Sequence, residues 1–144
     1  MTVGPSRRER LAILWSRLVA PGRLFPVPLS DPELFTATPH WQHFIREDPR
    51  ALRRATARFF IESVRLDGYL LWARRHVRLP ILLLLAEHDR IIDNVRTRAY
   101  VGRFPSPDVE VHECPGAHHT LEFEPDPGRF VADLLRWLDR QAVR

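Results

Sequence analysis

Within residues 8–20 the apolar positions include Leu11, Leu14, Trp15, Leu18 and Val19. That i, i+3, i+4, i+7, i+8 spacing predicts a helix with one buried face, ended by Pro21 and Gly22. Residues 21–49 interleave Pro26, Pro28, Pro32 and Pro39 with Phe25, Phe35, Trp41 and Phe44. The stretch reads as irregular chain anchored by aromatic packing. Asp48 followed by Pro49 offers a side-chain acceptor at an N-cap and a fixed φ at the first helical position. A helix is predicted from there, with Leu52, Ala55, Phe59 and Phe60 on one face and Arg50, Arg53, Arg54 and Arg58 mostly on the other. Gly68 is expected to bend or interrupt it before a second piece reaching about His76. All of residues 1–78 reads as helical or irregular.

At Pro80 the texture changes. Ile81–Ala86, ILLLLA, is short, has no alternation, and is bounded by a proline and polar residues, which suits a strand buried on both faces in a parallel sheet. Asp93 is placed to cap a helix running to about Phe104. VEVHEC, at Val109–Cys114, reads as a second short strand. Asp126 and Pro127 begin a last helix with a stripe of Phe130, Val131, Leu134, Trp137 and Leu138. The order β, α, β, α implies parallel strands, right-handed crossovers and the α/β class. Two strands do not make a stable sheet, so this pattern supplies the edge of an α/β sheet without its centre.

Composition narrows the picture. The chain has 144 residues, 44% of them hydrophobic, which suits one compact domain. The N-terminal apolar stretch is broken by Ser16 and Arg17 and does not read as a signal peptide. The longest apolar run is Ile81–Ala86, far short of the roughly 18 residues that span a bilayer, so a soluble, cytoplasmic protein with no stable membrane insertion is expected. Cys114 is the single cysteine, which excludes an intrachain disulfide; at a strand end it reads as a packed thiol rather than a nucleophile. The net charge is +4, and all 22 basic residues are arginine, spread among 18 acids. Coding bias accounts for that pattern better than a binding face, so no nucleic-acid partner is expected; Arg50, Arg53, Arg54 and Arg58 would form the nucleus of any basic patch.

Catalytic groups in open parallel sheets gather at the carboxyl ends of the strands. Asp89 lies just past the first predicted strand, and His118 and His119 lie just past the second, so all three project to one rim. A carboxylate there accepts an imidazole N–H, fixes its tautomer and stabilises the imidazolium formed when the ring takes a proton. Asp89 as a turn former is the plainer reading of the same position. Asp93 reads as a helix cap, with a catalytic role as the lesser alternative, and His118 as a rim or packing residue. His88, His112, His118, His119 and Glu122 are near one another in sequence but show no H-E-x-x-H or H-x-x-E-H spacing, so neither metal nor cofactor is expected.

At these residues a family resemblance becomes specific. Residues 79–138 resemble the last two strand–helix units of the α/β-hydrolase fold, in the branch of monoacylglycerol lipases, lysophospholipases and S33 serine aminopeptidases. In that branch a loop after an apolar strand carries the acid, and a G-A-x-H loop after a later strand carries the base. LLLLAEHDRIID then implies Asp89 as the acid, and PGAHH implies His119 as the base; Glu87 stands where the family usually has glycine. The first half resembles the cap of this branch, implying a division into residues 1–78, cap, and 79–144, C-terminal core. Trp15, Phe25, Phe35, Trp41 and Phe44 either line a lipid-like pocket there or simply pack.

In this fold the nucleophile precedes the acid and base, in a G-x-S-x-G elbow. Ser6, Ser16, Ser30, Ser63 and Ser106 all lack that context, and the oxyanion-hole loop that would precede the elbow is not in the sequence either. The resemblance therefore implies the cap and C-terminal half of a serine hydrolase for acylglycerol or lysophospholipid esters, inactive alone. A truncated or split gene product is expected, with an upstream-encoded N-terminal half as partner. The alternatives are a non-catalytic interaction module that self-associates through its open sheet edge, and a nucleic-acid binder using the arginine-rich helix.

Overall fold

The computed structural model describes residues 6–27 and 29–143; Pro28 and the first residues of the chain, which figure in the readings above, lie outside that range. Helix α1 spans Arg7–Val19 and starts in a capping box, in which the Ser6 hydroxyl accepts from the Glu9 N–H and the Glu9 carboxylate accepts from the Ser6 N–H. Its orientation corrects the predicted buried face. Leu11, Leu14, Trp15, Leu18 and Val19 are all exposed, while Ile13 and Ser16 are buried against α3, Ala57–Ala73. The small side chains Ala12 and Ser16 let the two helices approach, and Ile13, Phe25 and Ala57 form the core there, with Phe60 and Ile61 against it.

Residues 21–49 are more ordered than their prolines suggest. Strand β1, Leu24–Pro26, pairs antiparallel with β2, Arg54–Thr56, bringing Phe25 opposite Ala55. Helix α2, Pro39–Glu47, takes Pro39 at its first turn, where the missing N–H costs nothing. Trp41 of α2 stacks on Phe123 with ring centroids 4.3 Å apart, so the expected aromatic anchoring is present.

The helix predicted from Pro49 does not form. The Asp48 carboxylate accepts instead from the Arg50 N–H in a turn, the following residues join β2, and the helix starts at Ala57 with Thr56 as its cap. Pairing with β1 overrides the local start signal, and Leu52 is left exposed. Arg50, Arg53, Arg54 and Arg58 consequently share no helix face; Arg53 and Arg54 donate to the carbonyls of Arg46 and Leu24. Helix α3 runs through Gly68 without a break, and a 3₁₀ turn, Arg74–His76, ends that region.

The second half follows the pattern closely. Strands β3, Ile81–Ala86, and β4, Val109–Cys114, are parallel and in register from Ile81 opposite Val109 to Ala86 opposite Cys114. Helix α4, Asn94–Val101, connects them, capped by Asp93, and ends slightly before the expected Phe104. Helix α5, Gly128–Ala142, begins after Pro127. Side chains alternate along β4: His112 and Glu110 reach α5 through Asp133 and Arg140, whereas Glu113 pairs with Arg98 of α4. The two helices thus cover opposite faces. Within β3 only Leu85 and Ala86 are buried; Ile81, Leu82, Leu83 and Leu84 remain partly open. Among the described residues β3 pairs with β4 alone, so its other edge is unpaired.

Candidate active site

The site sits where both parallel strands end. After Ala86 the chain turns through Glu87 and His88 to Asp89, and after Cys114 it turns through Gly116 to His119. Gly116 has φ +72°, a left-handed conformation that any Cβ would strain. Main-chain hydrogen bonds sew the two loops together, Glu87 N–H to the Cys114 carbonyl at 3.2 Å and His88 N–H to the Ala117 carbonyl at 2.8 Å. Glu87, the departure from the family's glycine, adds a third link by accepting from the Gly116 N–H at 2.7 Å. Its local sequence gave no sign of that partner.

Asp89 uses its two oxygens differently. Oδ1 accepts from the N–H groups of Ile91 and Ile92, each at 2.8 Å, which fixes the turn leading to α4. Oδ2 lies 2.9 Å from His119 Nδ1. An ionised carboxylate only accepts, so Nδ1 carries the proton and Nε2 is left as the basic nitrogen of the neutral ring. The turn former and the imidazole partner are therefore the same residue. The Asp89 side chain is 6% exposed and the His119 side chain 28%, so the acceptor is shielded while the ring keeps an open side. Among the described residues His119 Nε2 makes no hydrogen bond, and the Phe35 ring packs against the imidazole in a T-shaped contact at 5.8 Å.

The other candidates fall elsewhere. Asp93 caps α4, accepting from the Arg96 N–H at 3.0 Å and pairing with its guanidinium. His118 turns away from Asp89; its N–H donates to Glu124 at 2.8 Å, its Nδ1 lies 3.2 Å from the same oxygen, and its ring meets His88. Cys114 points into the sheet–α5 interface, where burial raises its thiol pKa, in keeping with a packed thiol. Among the described residues no group of three metal-binding side chains comes together. Nor is any described helix long and apolar enough to cross a membrane.

None of the serines stands ready to be activated. Ser106 donates to the Leu79 carbonyl at the amino ends of the strands, about 20 Å from the rim that holds His119, given six residues at roughly 3.3 Å each. Ser63 donates to the Phe59 carbonyl within α3, Ser30 to the Val27 carbonyl, Ser6 caps α1, and Ser16 is buried in α1.

The profile of the family described as serine aminopeptidase, S33, matches residues 5–126. The chain belongs to that family. Two solved structures place this S33 chain in the α/β-hydrolase fold. One is a monoacylglycerol lipase from Paleococcus ferrophilus, with a TM-score of 0.80 and 20% identity, over 93% of this chain and 52% of that one. The other is a soluble variant of monoglyceride lipase from Saccharomyces cerevisiae in complex with a substrate analog, with a TM-score of 0.77 and 19% identity, over 93% and 49%. The S33 chain thus spans about half the length of the structures it matches. No curated protein matches it.

Proposed function

We propose that this chain supplies the general base and its orienting acid to a serine hydrolase of carboxylic esters, of acylglycerol or lysophospholipid type, whose nucleophile lies outside these 144 residues. The observation that carries the reading is the Asp89–His119 hydrogen bond of 2.9 Å at the carboxyl ends of two parallel strands. In the reaction, His119 Nε2 takes the proton of the incoming serine as its Oγ attacks the ester carbonyl. It then gives that proton to the departing alcohol, leaving an acyl-enzyme that water opens by the same two proton transfers. Asp89 stays ionised throughout, holding Nδ1–H and stabilising the imidazolium.

The division at residue 78 belongs to this reading: residues 1–78 act as cap, residues 79–144 as C-terminal core. Supporting it, the β1–β2 and β3–β4 pairs are separate sheets. The partner is an N-terminal half whose strand pairs with the open edge of β3, and the completed enzyme works in the cytoplasm, in keeping with a single unpaired cysteine.

A fluorophosphonate probe tests the reading. The chain alone is expected to take no label, and a complex with an upstream-encoded segment carrying G-x-S-x-G is expected to take label on that segment, dependent on His119. Labelling of any serine in this chain overturns the proposal. The unpaired β3 edge also motivates a second reading, a non-catalytic module that pairs with its own kind. Light scattering separates the two: a dimer that no N-terminal half displaces favours the module.

A further inference from the structure

Resting on the reading of His119 as base, we infer that Phe35 and Thr36 are positioning residues, a strap from the first half of the chain that holds His119 in place on Asp89. Thr36 is fully buried, 0% exposed, although it is polar and sits in a connecting segment. Its hydroxyl donates to the Phe123 carbonyl at 2.9 Å, across 87 residues of sequence, and accepts from the Thr38 N–H at 3.0 Å. Its own carbonyl accepts from Gln42 Nε2 of α2 at 3.0 Å. The Phe35 carbonyl accepts from the N–H of Thr120, the residue after His119, at 2.9 Å. On the same residue the Phe35 ring lies T-shaped on the imidazole at 5.8 Å.

The base loop is therefore gripped at both Thr120 and Phe123, with Trp41 of α2 stacked on Phe123 behind it. Asp89 alone holds one ring nitrogen, a hinge about which the imidazole can still swing. Phe35 against the ring and a fixed Thr120 remove that freedom. The hydroxyl of fully buried Thr36 either keeps its partner or incurs the desolvation cost of an unpaired polar group, so its bond to Phe123 is a tie rather than incidental packing. Any movement of α2 is transmitted through Thr36 and Gln42 to the base.

The test is proton exchange at His119 Nδ1 in the whole chain, labelled with ¹⁵N at histidine and assigned with His119→Gln. Wild type is expected to show an Nδ1-protonated ring with a slowly exchanging proton. Thr36→Val, which keeps shape and removes the hydroxyl, is expected to speed that exchange about tenfold, and Thr36→Ser to restore it. Phe35→Leu leaves every hydrogen bond of the strap in place and carries the test where Thr36→Val does not fold; it too is expected to speed exchange. Exchange unchanged in the folded variants overturns the strap while leaving the acid–base pair intact. Equal acceleration of the β4 amides also overturns it, since the effect is then a loss of global stability. A wild-type ring without the Nδ1 proton, unaltered by Asp89→Asn, overturns the acid–base reading and the strap together.

Discussion

Asp89 serves the turn with one oxygen and the imidazole with the other, and the two services respond differently to substitution. Asp89→Asn keeps a carbonyl oxygen for the Ile91 and Ile92 N–H groups, so the fold is expected to survive with a small change in melting temperature. The amide then faces Nδ1 with a donor, and the favoured tautomer reverses. Asp89→Ala removes the turn acceptor as well and is expected to destabilise the chain by about 1–3 kcal/mol more, read by urea denaturation. Equal stability of the two variants would show that the turn does not depend on Oδ1. Gly116→Ala is expected to cost about 1 kcal/mol through its positive φ alone, since open space surrounds the position. Denaturation reads this too, and a neutral result would mean that the loop relaxes. The pair Asp89 and His119 was legible because each follows a strand that its own local pattern announces. The contacts of Phe35 and Thr36 were not, because folding sets them across long separations, 87 residues for Thr36 and Phe123, and no local pattern encodes that distance.

Between elements, the β4–α5 contact is held by a charged network around His112. Glu110 lies 2.6 Å from its Nε2 and Asp133 3.1 Å from its Nδ1, while Arg140 pairs with Glu110 and Arg136 with Asp133. The hydrogen bond to Glu110, then that to Asp133, raises the His112 pKa above its ordinary value of 6.5. Hydrogen bonds from His112 and Arg140 lower that of Glu110. Burial pushes Asp133 upward, but the hydrogen bond and charge of His112 and the charge of Arg136 outweigh it and leave the carboxyl lowered. A raised histidine contributes stability that is complete below the unfolded pKa and is lost as pH rises through the folded one. Wild type is therefore expected to exceed His112→Gln in melting temperature at about pH 6, with the gap closing as pH climbs past the raised pKa. A gap that widens with pH would contradict the network's geometry. The lowered carboxylates act oppositely, their share fading as acid protonates them.

The sequence pattern announced β3 and β4 but neither β1 nor β2, and it misjudged which helix faces are covered. Helix α5 presents Phe130, Leu134 and Trp137 inward as the stripe implied, but Val131 and Leu138 of the same stripe stay exposed. In α1 the whole apolar stripe points outward, and the contact with α3 is made by Ile13 with the small Ala12 and Ser16 beside it. Periodicity says that a face is apolar; which surface covers it is a property of the assembled fold.

For the whole molecule, the accessible surface measures 10399 Å², whereas a compact monomer of 16.9 kDa exposes about 7,700 Å², an excess of roughly 2,700 Å². Exposed Leu11, Leu14, Trp15, Leu18, Leu71, Trp72 and Val95 belong to that surplus, as does the open edge of β3. In the proposed reading these exposed apolar side chains form the surface that the N-terminal half covers. Binding of a hydrophobic dye such as ANS is expected to be strong for the chain alone and to fall sharply when an N-terminal half docks. Unchanged dye binding in a formed complex would place the contact elsewhere.

Whether Asp89 and His119 serve a nucleophile from another segment is read by ester turnover of the chain joined with an upstream-encoded segment carrying G-x-S-x-G, set beside His119→Gln and Asp89→Asn. No hydrolysis is expected from the chain alone, and hydrolysis is expected from the complex. Asp89→Asn is expected to lose about 10⁴-fold in kcat and His119→Gln at least as much. Turnover by the isolated chain, or by a complex indifferent to His119→Gln, would contradict it.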